Sequence, residues 1–131
     1  MARRTSSTFT EVELEFMKVI WELGEVTTET MQNALDEKGQ YLTNGSIRKI
    51  LSILLRKGRL ERNRSGLSFY YRPVVPEKQG HRIMVLDLLR RTFDGSATHL
   101  VAALLDSREV TSDDLREIKR LIEEREREEE Q

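Results

Sequence analysis

Residues 43–58, TNGSIRKILSILLRKG, read as one amphipathic helix with both ends marked. Thr43 suits the N-cap, because its hydroxyl can accept from a free amide of the first turn. Gly58 suits the position just past the C-cap, where a left-handed residue closes a helix. Between them Ile47, Ile50, Leu51, Leu54 and Leu55 recur at i, i+3, i+4, i+7 and i+8, which makes a single buried stripe. The other face carries Asn44, Ser46, Arg48, Lys49, Ser52 and Arg56. Short hydrogen-bonding groups lie toward its N-terminal end, with positive charge beside and behind them. A helix entering a DNA major groove N-terminus first needs that layout: short polar groups for base edges and cations for phosphates.

The residues that follow extend the pattern. In RLERNRSGLSFYYRP, residues 59–73, Leu60 and Arg62, then Leu67, Phe69 and Tyr71, predict two short strands. Arg64, Ser65 and Gly66 supply a tight turn between them. A helix followed at once by a basic hairpin is the outline of a winged helix-turn-helix. From Tyr41 to Arg72 eight cations (Arg48, Lys49, Arg56, Lys57, Arg59, Arg62, Arg64, Arg72) stand against one acid, Glu61, a local charge of +7 in a chain of net charge −1. An ordinary core helix with a solvated charged face is the bland alternative. The charge asymmetry, an electrostatic footprint for a polyanion, weighs against it.

At 131 residues the chain has room for one domain or two small ones. Residues 1–82 hold 14 basic and 10 acidic side chains, +4, and residues 83–131 hold 8 and 13, −5, so only one half is built to approach an anion. There is no cysteine, which excludes disulfides, thiolate metal sites and cysteine nucleophiles. No apolar run approaches the length of a membrane span, and MARRTSST lacks a signal-peptide core; a cytoplasmic home is expected. His81 and His99 lie in separate predicted helices without companion ligands, so no metal site is expected. No serine elbow, phosphate loop, glycine fingerprint or zinc-protease motif is present, and neither an enzyme nor a cofactor is expected.

In chain order, residues 1–8 read as a disordered basic start. The first helix opens on the capping box Thr10 and Glu13, with Phe9 and Leu14 as a hydrophobic staple, buries Val12, Phe16, Val19, Ile20 and Leu23, and ends at Gly24 with Trp21 at its edge. A second helix starts at Thr27 or Thr28, turns Met31, Ala34 and Leu35 inward and stops at Gly39. Two short helices, a tight connection and a basic third give the helix-turn-helix order. Pro73 and Pro76 stiffen the exit from the hairpin. Three more helices are predicted, from about Glu77 to Phe93, from Ser96 to Leu105, and from a cap at Thr111 that faces Asp114; the terminal EEREREEEQ is expected to fray. Three helices over about fifty residues bury too little alone, because burial is marginal at that size. Their apolar residues Ile83, Leu86, Leu89, Phe93, Leu100, Val101, Leu104, Leu105, Leu115, Ile118 and Ile122 are therefore the expected dimerisation seam.

The runs FTEVELEFMKVIWELGEVTTETM, SIRKILSILLRKGRLERNRSGLSFYYRP and DGSATHLVAALL together resemble the penicillinase repressor (BlaI/MecI/CopY) family of winged-helix transcriptional repressors, from Phe9 to about Glu124. The resemblance implies a homodimer that binds palindromic operators in double-stranded DNA, and a C-terminal module that intertwines two subunits. It also implies a sensor protease as a partner, although the Asn-Phe bond cut in β-lactam-sensing members is replaced here by Ala103-Leu104. The cysteine cluster of copper-responsive members is absent. Many relatives have Pro and Lys where this chain has Asn44 and Gly45, and Arg where it has Ile53, so a different operator sequence is expected.

The expected architecture is mainly α with a small β-hairpin wing: a winged helix-turn-helix DNA-binding domain over residues 1–75 and a helical dimerisation domain over 76–131. The expected DNA contacts are Thr43, Asn44, Ser46, Arg48, Lys49, Ser52, Arg56, Lys57, Arg62 and Arg64, with one of Tyr70 and Tyr71 packed inward and the other near a phosphate. Two other functions fit the same frame: a winged helix that binds a protein, and a MarR-like regulator with a ligand pocket among its C-terminal helices.

Overall fold

The computed structural model describes residues 8–131, so the basic start lies outside the described residues except for Thr8, which is buried. In chain order the elements are α1 (Glu11–Leu23), α2 (Thr28–Glu37), α3 (Asn44–Arg56), β1 (Leu60–Ser65), β2 (Ser68–Pro73), α4 (Glu77–Thr92), α5 (Ala97–Asp106) and α6 (Ser112–Glu129). Local chemistry sets the helix starts. Thr10, Thr27, Thr43, Ser96 and Thr111 each accept, through the side-chain hydroxyl, from the amide three residues on. The capping box is reciprocal at Thr27 with Thr30 and at Thr111 with Asp114. At Thr10 only the hydroxyl half is made, because the Glu13 carboxylate turns to Lys57.

The first three helices close around one apolar core. Phe16, Met17 and Ile20 of α1, Met31 and Leu35 of α2, and Ile47, Leu51 and Leu54 of α3 have no exposed surface, and Val26, Leu60 and Tyr71 complete the cluster. The inner stripe of α3 is therefore the one its periodicity predicts, with Ile50 and Leu55 packed at its margins. The stripe of α1 is rotated from expectation. Val12 and Leu23 are 46% and 52% exposed, while Met17 and the charged Glu13 take inward positions.

β1 and β2 pair antiparallel from Leu60 opposite Pro73 to Ser65 opposite Ser68. The connection is therefore Gly66-Leu67, one step beyond the expected turn. Gly66 has φ +63°, the left-handed value that a two-residue hairpin turn needs at its first central position. Leu67 is thus a turn residue, 96% exposed, and not the strand residue its alternation with Phe69 suggested. β2 is tied to the body by backbone hydrogen bonds in both directions between Tyr71 and Val26, at 2.8 and 3.0 Å.

Two compact units are present, one ending at Asp87 and the other running Leu88–Gln131. The first takes in the opening turns of α4, past the expected boundary after Val75. The Trp21 indole donates to the Val75 carbonyl at 2.8 Å and packs edge-on to Phe9 and His81. Gly80 is buried beneath that ring, and Ile83 and Met84 pack against the winged core. Ile83, expected at the dimer seam, thus has an intramolecular partner.

In the unit Leu88–Gln131 no residue is buried. Val101, Leu104, Leu105, Leu115, Leu121 and Ile122 are 40–53% exposed, while Leu89, Phe93, Leu100 and Ile118 are half-buried. On α4 Leu86 is 38% exposed. The acidic end, expected to fray, stays helical through Glu129. Ion pairs of Arg120 with Glu117 and Glu124, and of Arg125 with Glu129, run along it at helical spacing. The Arg120 hydrogen bond holds the Glu117 carboxyl below the usual carboxylate range.

A methyl group at Gly80 would lie 2.6 Å from two carbons of the Trp21 ring. Overpacking of that kind costs about 1–3 kcal/mol. Gly80→Ala should lower the urea midpoint accordingly, and fluorescence of Trp21, the only tryptophan, reports the transition directly.

Candidate nucleic-acid interface

The start of α2, one face of α3 and the wing enclose an open groove of about 1020 Å³. Thr27, Thr28, Thr30 and Gln32 line one side, Asn44, Arg48 and Ser52 the floor, and Arg62, Phe69 and Tyr70 the other side. Asn44, Arg48 and Ser52 follow one another at four-residue spacing, so they rise along a single ridge of α3. Burial of Ile47, Leu51 and Leu54 turns that ridge outward. One carboxylate, Glu29, is in the lining.

The other sequence candidates divide by what holds them. Thr43 and Ser46 are exposed, but the Thr43 hydroxyl donates to Ser46 Oγ at 3.0 Å and accepts from the Ser46 amide as the helix cap, so both serve the local turn. Lys49 and Arg56 are exposed on α3 outside the groove lining. Arg62 and Arg64 lie over the ring of Phe69, at 4.4 and 5.8 Å from its centre, and Arg64 also donates to the Gly66 carbonyl at 3.0 Å. The cation–π contacts hold two flexible arginines on one side of the wing.

Lys57 is the candidate that the structure removes from the surface. Its side chain is 5% exposed, and Nζ donates to Glu13 Oε1 at 2.6 Å and to the Thr8 carbonyl at 2.9 Å. An ammonium buried against a carboxylate and a carbonyl has no reach to a phosphate. Arg72 pairs with Glu61 at 2.9 Å, the one acid already counted in the local +7, and Arg59 lies over the Phe9 ring. Of the eight cations between Tyr41 and Arg72, Arg48, Lys49, Arg56, Arg62 and Arg64 form no ion pair with a described carboxylate, and these five carry the cationic character of this part of the surface.

Comparison with known proteins places this arrangement. The penicillinase repressor family profile matches residues 9–124. The chain belongs to the penicillinase repressor family. Members are DNA-binding regulators of transcription, not enzymes. The penicillinase repressor of Bacillus licheniformis is 25% identical over 114 residues, 87% of this chain and 88% of that protein. An uncharacterized 16.5 kDa protein of Latilactobacillus sakei is 25% identical over 122 residues, 93% of this chain and 82% of that one. The solution structure of the DNA-binding domain of the repressor BlaI matches with a TM-score of 0.50 and 27% identity, over 60% of this chain and 93% of that domain. The winged-helix part is thus the part shared with that structure.

Sequence reasoning missed the contribution of α2. Thr28 and Gln32 line the groove, and the Gln32 amide also donates to the Leu42 carbonyl at 3.3 Å, bracing the link to α3. The available signal was the threonine cluster Thr27, Thr28 and Thr30, which served only as a helix start. Phe69 was placed on a strand but not as the support of the wing arginines; the register, with Arg64 directly opposite Phe69, makes that role possible. Of the tyrosine pair, Tyr71 is the one packed inward, Tyr70 is half-buried, and both line the groove.

Two variants follow from these placements. Lys57→Met leaves Glu13 buried without its cation, which costs about 3–5 kcal/mol, so the denaturation midpoint should drop sharply, and adding Glu13→Leu should restore most of it. An unchanged midpoint in Lys57→Met would contradict the burial. Phe69→Ala frees Arg62 and Arg64 from their ring, and DNA affinity at fixed salt should fall by roughly threefold to fivefold, in line with about 0.5–1 kcal/mol for an exposed cation–π contact.

Proposed function

We propose that this chain represses transcription as a homodimer whose two winged units bind the half-sites of a palindromic operator. The observation that carries the reading is the ridge Asn44–Arg48–Ser52, set opposite Arg62 across one groove. Asn can read adenine and Arg guanine through paired hydrogen bonds in the major groove, and Ser can serve either base. Lys49, Arg56 and Arg64 flank the ridge with charge for phosphates. A second consideration supports the dimer. The unit Leu88–Gln131 buries none of its apolar residues, and the matching surface of a second copy is the natural cover. A two-fold dimer presents the same ridge twice, which suits half-sites about 34–36 Å apart, or a multiple of that, on one face of the duplex. Among the described residues no helix is long and apolar enough to cross a membrane, and the repressor of this proposal acts where the chromosome is, in the cytoplasm.

The test is a mobility shift on upstream promoter DNA with excess non-specific competitor, alongside sedimentation of the protein alone. The wild type should sediment as a dimer and give a competitor-resistant complex. Asn44→Ala with Arg48→Ala should remain dimeric and lose about a hundredfold in operator affinity, in line with about 1–3 kcal/mol per base contact. Leu104→Asp with Ile122→Asp should yield monomers that no longer form the complex. A folded wild type that is monomeric, or that binds every duplex alike, would exclude the reading.

A further inference from the structure

Six of the seven glycines have a reason inside the fold, and Gly45 has none. Gly24, Gly39, Gly58, Gly66 and Gly95 sit at positive φ, and Gly80 lies under Trp21. Gly45 lies in the first turn of α3 without a positive φ, and a Cβ built there would meet nothing within 4 Å. Glycine is a poor helix former, so nothing in the folded chain favours it over alanine at this place. Its surroundings suggest an outside cause. Gly45 is exposed, and Arg48 and Lys49 stand three and four residues on, one turn further along the same face. Asn44 precedes it, and Ser52 and Arg56 continue the face. The position is therefore the leading point of the polar and cationic surface of α3.

We propose that Gly45 is a specificity-determining residue whose missing side chain lets the backbone of α3 seat directly against double-stranded DNA, bringing Asn44 and Arg48 within hydrogen-bond reach of base edges. The proposal rests on the operator-binding reading above. Glycine is the residue used where backbone must approach a ligand closely. A methyl group at this point would hold the helix away from the duplex, and hydrogen bonds to base edges need donor–acceptor distances of about 2.7–3.2 Å with near-linear geometry. Phosphate attraction is less sensitive to such a displacement, because it acts over the Debye length, about 8–10 Å at ordinary salt. Base reading should therefore suffer while general attraction to DNA persists.

The experiment compares the full-length wild type with Gly45→Ala. The probes are a duplex selected from random DNA by the wild-type protein and a duplex of unrelated sequence. The melting temperature of Gly45→Ala should rise by roughly 1–4 °C. Its affinity for the selected duplex should fall about tenfold or more, the scale of one base contact, while affinity for the unrelated duplex stays within about twofold because no charge has changed. Undiminished affinity of Gly45→Ala for the selected duplex overturns the proposal and leaves the repressor reading intact. A lowered melting temperature also overturns it, since the glycine would then have an internal role. If the wild type selects no sequence at all, the operator-binding reading fails and the proposal fails with it.

Discussion

The burial of Ile47, Leu51 and Leu54 along one side of α3 is the constraint on which the rest depends. Each such side chain contributes about 1.5–3 kcal/mol when fully removed from water. An exposed charge on the far side of the helix contributes about 0–1 kcal/mol even when paired. The apolar stripe therefore decides the rotation of α3 about its axis, and the polar face has no vote in it. Once that rotation is set, Asn44, Arg48 and Ser52 face the wing, and Lys49 and Arg56 face outward. The polar face proposed to read DNA is a consequence of the core, which is why the two must be read together.

The wing and the start of α1 are fixed by longer-range contacts. Tyr71 joins the core by its ring and bonds Val26 by its backbone, so β2 is anchored at its base while Arg62, Arg64 and Phe69 stand clear toward the tip. At the other end of α3, Lys57 ties the helix to Glu13 and Thr8. A buried ion pair is a weak source of net stability, because desolvation offsets most of its attraction. Its effect here is geometric: it fixes the C-terminal end of α3 against the start of α1. The same cation would look like a phosphate ligand to any count of charges along the chain.

Most of the fold was legible because its signals are local. Threonine caps at residues 10, 27, 43 and 111 mark four helix starts within a residue, and the period of the α3 stripe names its buried face. Most of the misreadings share one cause, a partner distant in sequence. Lys57 is withdrawn by a carboxylate 44 residues away. Met17 and Glu13 displace Val12 from the inner face of α1 because that same pair lets a charge enter the core. Gly80 is buried by a tryptophan that no pattern within α4 can announce. Leu67 was lost to the turn, where glycine at the first of two positions outranks strand alternation. In the groove, the ridge on α3 and the wing arginines were legible, whereas Thr28, Gln32 and Phe69 required the packing of α2 and the hairpin register.

The unit Leu88–Gln131 poses the complementary problem. Its helices are well capped and its ion pairs well spaced, so its local structure is secure, but its apolar residues lack cover. The proposed two-fold dimer joins that deficit to the cationic surface. The salt dependence of operator affinity tests the joint claim most directly. Each phosphate neutralised contributes about −0.9 to the slope of log K against log salt, so the five cations Arg48, Lys49, Arg56, Arg62 and Arg64 of one chain supply about −4.5 if every one of them releases a counterion, and those of two chains about −9. The account predicts a slope steeper than −4.5 by this estimate. A slope near zero, or one that fits a single chain, would contradict it.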